Sequence, residues 1–109
     1  MSINPLKPDE AIKLKKGQRP DAVMISFNQE IAEHIKVSTG RAKVLQKDVL
    51  VRIKKALETV TTSDILDKGW LDIEPEFRKA GWEVEYEKPA IDESFDSYFI
   101  FQKKKGYKY

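Results

Sequence analysis

Between residues 41 and 55 the chain carries six basic groups, Arg41, Lys43, Lys47, Arg52, Lys54 and Lys55, against one acid, Asp48, a local net charge of +5. Guanidinium and ammonium groups at this density are what phosphate binding uses, because each neutralises a phosphate and releases its counterions. Arg78 and Lys79 form a second basic pair. From residue 56 to 101 the balance reverses, with twelve acidic groups against four basic ones, a net of −8. The chain is therefore electrically polarised along its length although its formal net charge is only +2, and such a field can steer a charged partner. The acids also set a limit. Glu83, Glu85 and Glu87, and then Asp92, Glu93 and Asp96, would repel a phosphate backbone brought against them.

Groups suited to bond-making chemistry are few. There is no cysteine, which excludes disulfides, thiol nucleophiles and cysteine-based zinc sites. His34 is the one histidine. It falls late in an expected helix, where a cation suits the negative end of the dipole, and it reads as a surface or boundary residue. Asp72, Glu74 and Glu76 resemble a carboxylate cluster, but charge at a helix start accounts for them. No glycine-rich phosphate loop, nucleophile elbow or histidine–metal spacing is present. The expectation is a non-enzymatic protein with no catalytic residue, no metal site and no cofactor, and no small-molecule substrate is evident. Tyr98 and Trp70 are the candidate aromatic anchors for a protein partner. Trp70 has an alternative, to pack under a hairpin beside Trp82.

These side chains must be positioned by the elements around residues 70–101. Asp72 reads as an N-cap, Pro75 is tolerated in a first turn, and Ile73, Phe77 and Ala80 share one helical face. Gly81 reads as the left-handed residue that stops the helix. The period then changes to two: Trp82, Val84 and Tyr86 alternate with Glu83, Glu85 and Glu87, a strand with one apolar and one acidic face. Pro89 ends it, and a polar connection through Asp92, Glu93 and Ser94 leads to a second strand over 97–101, with Phe99 and Phe101 on one face and Tyr98 and Ile100 on the other. Upstream, residues 1–20 hold three prolines, one glycine and five basic residues and read as a flexible basic arm with a helical turn over 9–16. Asp21 reads as the cap of an amphipathic helix carrying Val23, Phe27, Ile31 and Ile35, which ends near Ser38-Thr39-Gly40. Residues 42–45 are extended with Val44 inward. Asp48 reads as the cap of a second helix that buries Val49, Ile53, Ala56 and Leu57. Thr62 or Ser63 starts a short helix through Asp67, ended by Gly69.

The order is helix, strand, helix, helix, strand, strand. It predicts an α+β, winged-helix-like domain of three helices and a small antiparallel sheet, with residues 73–80 as the third helix and 82–101 as the C-terminal β-hairpin. A length of 109 residues fits one domain, bounded as arm 1–20, domain 21–103 and basic tail 104–109. The expected core is Val23, Phe27, Ile31, Val49, Ile53, Leu57, Ile73, Phe77, Trp82, Val84, Phe99 and Phe101, and truncating Trp82 or Phe77 to alanine is expected to cost about 3–5 kcal/mol.

Several of these runs carry a resemblance. Pro20-Asp21 with Val23, Phe27-Asn28 and Ile31, then Gln46-Lys47-Asp48-Val49, Trp70-Leu71-Asp72-Ile73-Glu74 and Arg78-Lys79-Ala80-Gly81-Trp82, followed by Tyr86, Lys88-Pro89, Phe95 and Tyr98-Phe99, resemble a functionally uncharacterised family of small tailed-bacteriophage proteins. The resemblance spans roughly residues 19–103 and is most specific over 70–89. It implies a phage origin and work inside an infected bacterium, and it carries no catalytic residues with it. Virion component and early non-structural protein both stay open.

Apolar runs are far short of a membrane span and no signal peptide is visible, so the host bacterial cytoplasm is expected, with no membrane partner. Two partners remain. Nucleic acid would use Lys43, Lys47, Arg52, Lys54 and Lys55 on and near the second helix, with Arg78 and Lys79 on the third and the lysines of arm and tail in support. A host or phage protein would be met through charge complementarity and Tyr98 or Trp70. The basic second helix tips the balance slightly to nucleic acid.

Overall fold

The antiparallel hairpin of β2 (Trp82–Glu87) and β3 (Tyr98–Lys103) organises the molecule. β3 lies in the middle of a three-stranded sheet of order β1-β3-β2, because β1 (Arg41–Leu45) pairs antiparallel along its other side, Ala42 opposite Phe101 and Val44 opposite Phe99. The computed structural model describes residues 4–16 and 19–104, apart from the side chains of residues 13, 15 and 16. Lys105 and Lys108 of the expected tail, and the side chains of Lys13, Lys15 and Lys16 in the expected arm, lie outside the described residues.

Among the described residues there are five helices rather than three: α1 (Pro8–Lys16), α2 (Asp21–His34), α3 (Gln46–Ala56), α4 (Thr62–Asp67) and α5 (Glu74–Lys79). The architecture is α+β. The expected third helix is shorter than 73–80, and the short helix expected through Asp67 is present as α4, separate from it. The helical turn expected in the arm is a nine-residue helix with Ile12 and Leu14 exposed. No helix among the described residues is long and apolar enough to cross a membrane.

Alternation along the strands turns Ala42, Val44, Val84, Phe99 and Phe101 to one face, where all are buried. Helix α2 supplies the side chain at the centre of that face. The Phe27 ring meets Phe99 edge-on at 5.1 Å and Phe77 of α5 at 6.2 Å, and Phe77 meets Phe101 at 5.1 Å. The edge-to-face contacts of Phe27 with Phe99 and of Phe77 with Phe101 match the positive rim of one ring to the negative face of the next. Val23, Ile31, Val49, Ile53, Ile65, Trp70, Leu71 and Ile73 complete the cluster. Two residues expected in the core, Leu57 and Trp82, only border it. Ile65 and Leu71, which were not expected there, are inside, and Trp70 is packed there too rather than standing at the surface.

Three expected caps are replaced by other partners. Asp21 is the first residue of α2, Asp48 lies in the first turn of α3, and Ile73 rather than Asp72 precedes α5; none of the three helix starts has a side-chain cap bond. Backbone groups serve instead. The Val23 N–H donates to the Pro20 carbonyl at 3.1 Å, and the Gln46 N–H donates across to Ser97 at 2.9 Å, so α3 begins as an extension of the sheet. A capping box is present at α4, where the Asp64 N–H donates to Thr61 Oγ1 and the Thr61 N–H donates to the Asp64 carboxylate. Those bonds hold the Asp64 carboxyl below its ordinary value, the backbone bond most of all. Gly81 has φ 104, so the turn from α5 into β2 needs a residue without a Cβ.

Arg19 ties the chain ahead of α2 to α5. Its side chain is 8% exposed, it donates to the Asp72 carbonyl at 3.3 Å, and it pairs with Glu76 at 3.2 Å.

Candidate functional site

The face of the sheet turned from the helices is sorted by register. Along β1 the outward residues Arg41, Lys43 and Leu45 stand opposite Gln102, Ile100 and Tyr98 of β3. Along β2 the outward Glu83, Glu85 and Glu87 stand opposite the same three residues from the other side. A cationic edge and an acidic edge thus flank one strip, Tyr98-Ile100-Gln102. Strands sit about 4.8 Å apart, so the two edges are about 10 Å from one another. The Lys43 ammonium lies 4.4 Å from the centroid of the Tyr98 ring, a cation–π contact, and the Phe95 ring is 5.8 Å away on the hairpin loop. Tyr98 is half-buried. Trp70 is 4% exposed and belongs to the core, which removes it as a surface anchor. Trp70 sits in the turn between α4 and α5, where no regular period reports burial.

The basic residues of 41–55 do not act as one group. Lys47, Val51, Lys54 and Lys55 recur at helical spacing on the exposed side of α3, with Val51 55% exposed among them. Lys47 pairs with Asp96 of the hairpin loop at 3.0 Å, and that hydrogen bond, followed by the charge of Asp96, raises its ammonium above the usual lysine value. Lys54 donates to Thr62 Oγ1 at 3.0 Å. Arg52 turns away from this side toward α2. Its Nε donates to Glu30 Oε2, its Nη2 to Glu33 Oε2 and its Nη1 to Gln29 Oε1 at 3.1 Å. The hydrogen bond to Glu30 leads in holding the guanidinium above its ordinary value, burial works against it, and the charges of Glu30, Glu33 and Asp48 add. A guanidinium so engaged braces α2 against α3 and has little left for a phosphate.

Arg78 donates to the Val84 carbonyl at 3.1 Å, and Lys79 beside it is exposed. Both are on α5, which packs on β2, whereas α3 packs on β1 and α2. The expected nucleic-acid residues are therefore divided between the two edges of the sheet, with the Arg78–Lys79 pair next to the acidic one.

A second constellation was not expected. Glu30, His34 and Asp48 each bring one potential metal-ligand atom within 4.8 Å of the others. Glu30 and His34 stand one turn apart on α2, and Asp48 reaches them from the first turn of α3. The glutamate and histidine share a helical face by spacing alone, a signal present in the sequence. The aspartate joins them only because β1 returns the chain to α2.

Comparison with protein-family models, with curated proteins and with solved structures finds no match to this chain.

Proposed function

We propose that this chain is a winged-helix-like, non-enzymatic binding protein that engages a protein partner through the outer face of its sheet. The observation that carries the reading is the pairing of a cationic and an acidic edge about 10 Å apart. A polyanion drawn to Arg41 and Lys43 also lies about 10 Å from the carboxylates of Glu83 and Glu85, and with a Debye length of about 8 Å in physiological salt their repulsion is screened only in part and offsets some of the attraction. A protein surface carries both signs and can match both edges, with Tyr98 as the aromatic contact between them. The order helix, edge strand, helices, hairpin, with the edge strand paired to the second hairpin strand, supports the winged-helix-like description, two additional helices notwithstanding. The resemblance to tailed-phage proteins makes the partner a host or phage protein in the cytoplasm of an infected bacterium.

A photo-crosslinking amino acid at position 98, used in infected cells, tests this. The expected result is one crosslinked protein, lost both in Arg41→Glu/Lys43→Glu and in Glu83→Lys/Glu85→Lys. A crosslink that survives reversal of the acidic edge would count against the two-edged surface.

Nucleic acid is the second reading, favoured by the exposed Lys47, Lys54 and Lys55 along α3. Anisotropy titrations with labelled duplex DNA and single-stranded RNA at two salt concentrations separate the readings. Steeply salt-dependent binding lost in Lys47→Glu/Lys54→Glu/Lys55→Glu would replace the protein reading.

A further inference from the structure

We propose that Glu30, His34 and Asp48 form a site for a divalent transition-metal ion, with its open side directed at an oxyanion ligand. The first support is a buried carboxylate oxygen that accepts no hydrogen bond, although the His34 imidazole stands at ion-pair distance from it. The Glu30 side chain is 4% exposed, and the oxygen is its Oε1. A buried carboxylate oxygen left in this way is costly, and native folds rarely tolerate one without a use for it. The other oxygen, Oε2, is held by Arg52. That bond fixes the carboxylate plane and aims Oε1 toward His34, as outer-shell partners do for metal ligands.

The second support is distance. His34 Nε2 lies 3.4 Å from Glu30 Oε1. Metal bonds of about 2.0–2.2 Å in tetrahedral geometry separate two ligand atoms by about 3.4 Å. The Asp48 donor lies within 4.8 Å of both, so that half-buried side chain would have to move closer for all three to hold one ion. A neutral imidazole with its lone pair on Nε2 would face the lone pairs of Oε1, and a cation between them removes the repulsion. One imidazole nitrogen with two carboxylate oxygens suits Zn²⁺, Mn²⁺ or Fe²⁺ better than Mg²⁺ or Ca²⁺, which favour oxygen alone.

The competing arrangement is a protonated His34 paired directly with Glu30. The surrounding charges bear on both. Glu30, Glu33 and Asp48 are negative, Arg52 is positive, and Lys36, Arg41 and Lys43 line the same surface cavity as His34 and Asp48. These four cations exceed the three carboxylates. A bare divalent ion would add to that excess, and an anion in its open coordination positions would relieve it. The cationic rim is thus the reason for assigning an oxyanion, whether phosphate or carboxylate, to the exposed side.

His34 is the one histidine in the chain, so tag-free protein gives a single set of imidazole resonances. Titration with Zn²⁺ at neutral pH is expected to shift the Nε2 resonance to a metal-bound position and to show one site by calorimetry. Binding should weaken by more than about tenfold in His34→Ala, since even outer-shell changes cost 10–100-fold, and in Asp48→Asn. His34 is 43% exposed at its side chain, and an unchanged metal-free melting curve for His34→Ala shows that the fold is intact. With Co²⁺ in place of Zn²⁺, adding phosphate should alter the visible spectrum of the wild type and leave that of Arg41→Ala/Lys43→Ala unaltered. Three outcomes would overturn the site: an imidazole protonated on both nitrogens and insensitive to Zn²⁺, equal affinity in wild type and His34→Ala, or no binding at millimolar Zn²⁺. A Co²⁺ spectrum indifferent to phosphate would overturn the oxyanion assignment.

Discussion

Helix α2 meets the sheet through Phe27 and meets α3 through Glu30, one turn further on. At Phe27 the contact is apolar. The ring is 0% exposed and lies against rings from β3 and α5. At Glu30 the contact is charged. A carboxylate 3% exposed as a residue is held by a guanidinium from α3, which also takes Glu33 and Gln29. The apolar contact gains from every ring removed from water and from dense contact among the rings. The charged contact must first offset the loss of hydration at Glu30, and it does so only while Arg52 is present. One helix is therefore docked at one place by surface burial, which tolerates imperfect partners, and at another by a pairing that fails if either member is lost.

The largest expected effect is at the aromatic contact. Phe27→Ala removes a fully buried ring from among three others and should cost about 3–5 kcal/mol, measured by urea denaturation. Trp82→Ala should cost clearly less, because Trp82 borders the core and, among the described residues, makes one ring contact, with Phe101 at 6.2 Å. Equal losses at the two positions would break the distinction drawn between the centre of the sheet and its end.

A smaller but more diagnostic effect is expected at the charged contact. Arg52→Met alone leaves Glu30 buried without a counter-charge, and its melting temperature should fall. Arg52→Met/Glu30→Gln should recover a substantial part of that loss, giving a coupling in a double-mutant cycle. If the two single losses simply add, the pair is not what joins α2 to α3.

The smallest effect concerns Asp64. Its carboxyl is held below the ordinary aspartate value of 3.8 in the folded chain. The stabilisation is therefore present above that value and is lost as pH falls through the lowered folded one. Melting curves of wild type and Asp64→Asn should differ near pH 6 and converge below about pH 3.8, while a gap that widens on acidification would have the wrong sign.

The aromatic contact was legible in the sequence and the charged one was not. Val23, Phe27 and Ile31 repeat at helical spacing, and Phe99 and Phe101 at strand spacing. Period alone therefore turned those rings inward. Glu30 adjoins the same stripe, but a glutamate there reads as solvated until a guanidinium from 22 residues further on is known to cover it. Arg52 was misread for the matching reason, as one member of a basic run, when its helical position turns it from Lys47 and Lys54 and its guanidinium is taken by α2. The caps failed for another cause. Asp21, Asp48 and Asp72 are the right residue type in the right neighbourhood, yet backbone carbonyls from the preceding turn or from Ser97 reach the free N–H groups first. The metal-type cluster needed a tertiary contact to exist, so only its Glu30–His34 half could be read.

The central position of β3 has a consequence for synthesis. It is the last of the three strands to leave the ribosome, and it is the one to which both others bond. Until residue 103 has been translated and released from the exit tunnel, β1 and β2 have no ladder partner and Phe27 lacks two of its ring neighbours. Nascent α2 and α3 can dock early through Arg52, but the sheet cannot zip progressively from the N-terminal side. It closes in one late step, across a separation of about 60 residues between β1 and β3, and until then the incomplete chain exposes its strand edges to whatever else is being made nearby.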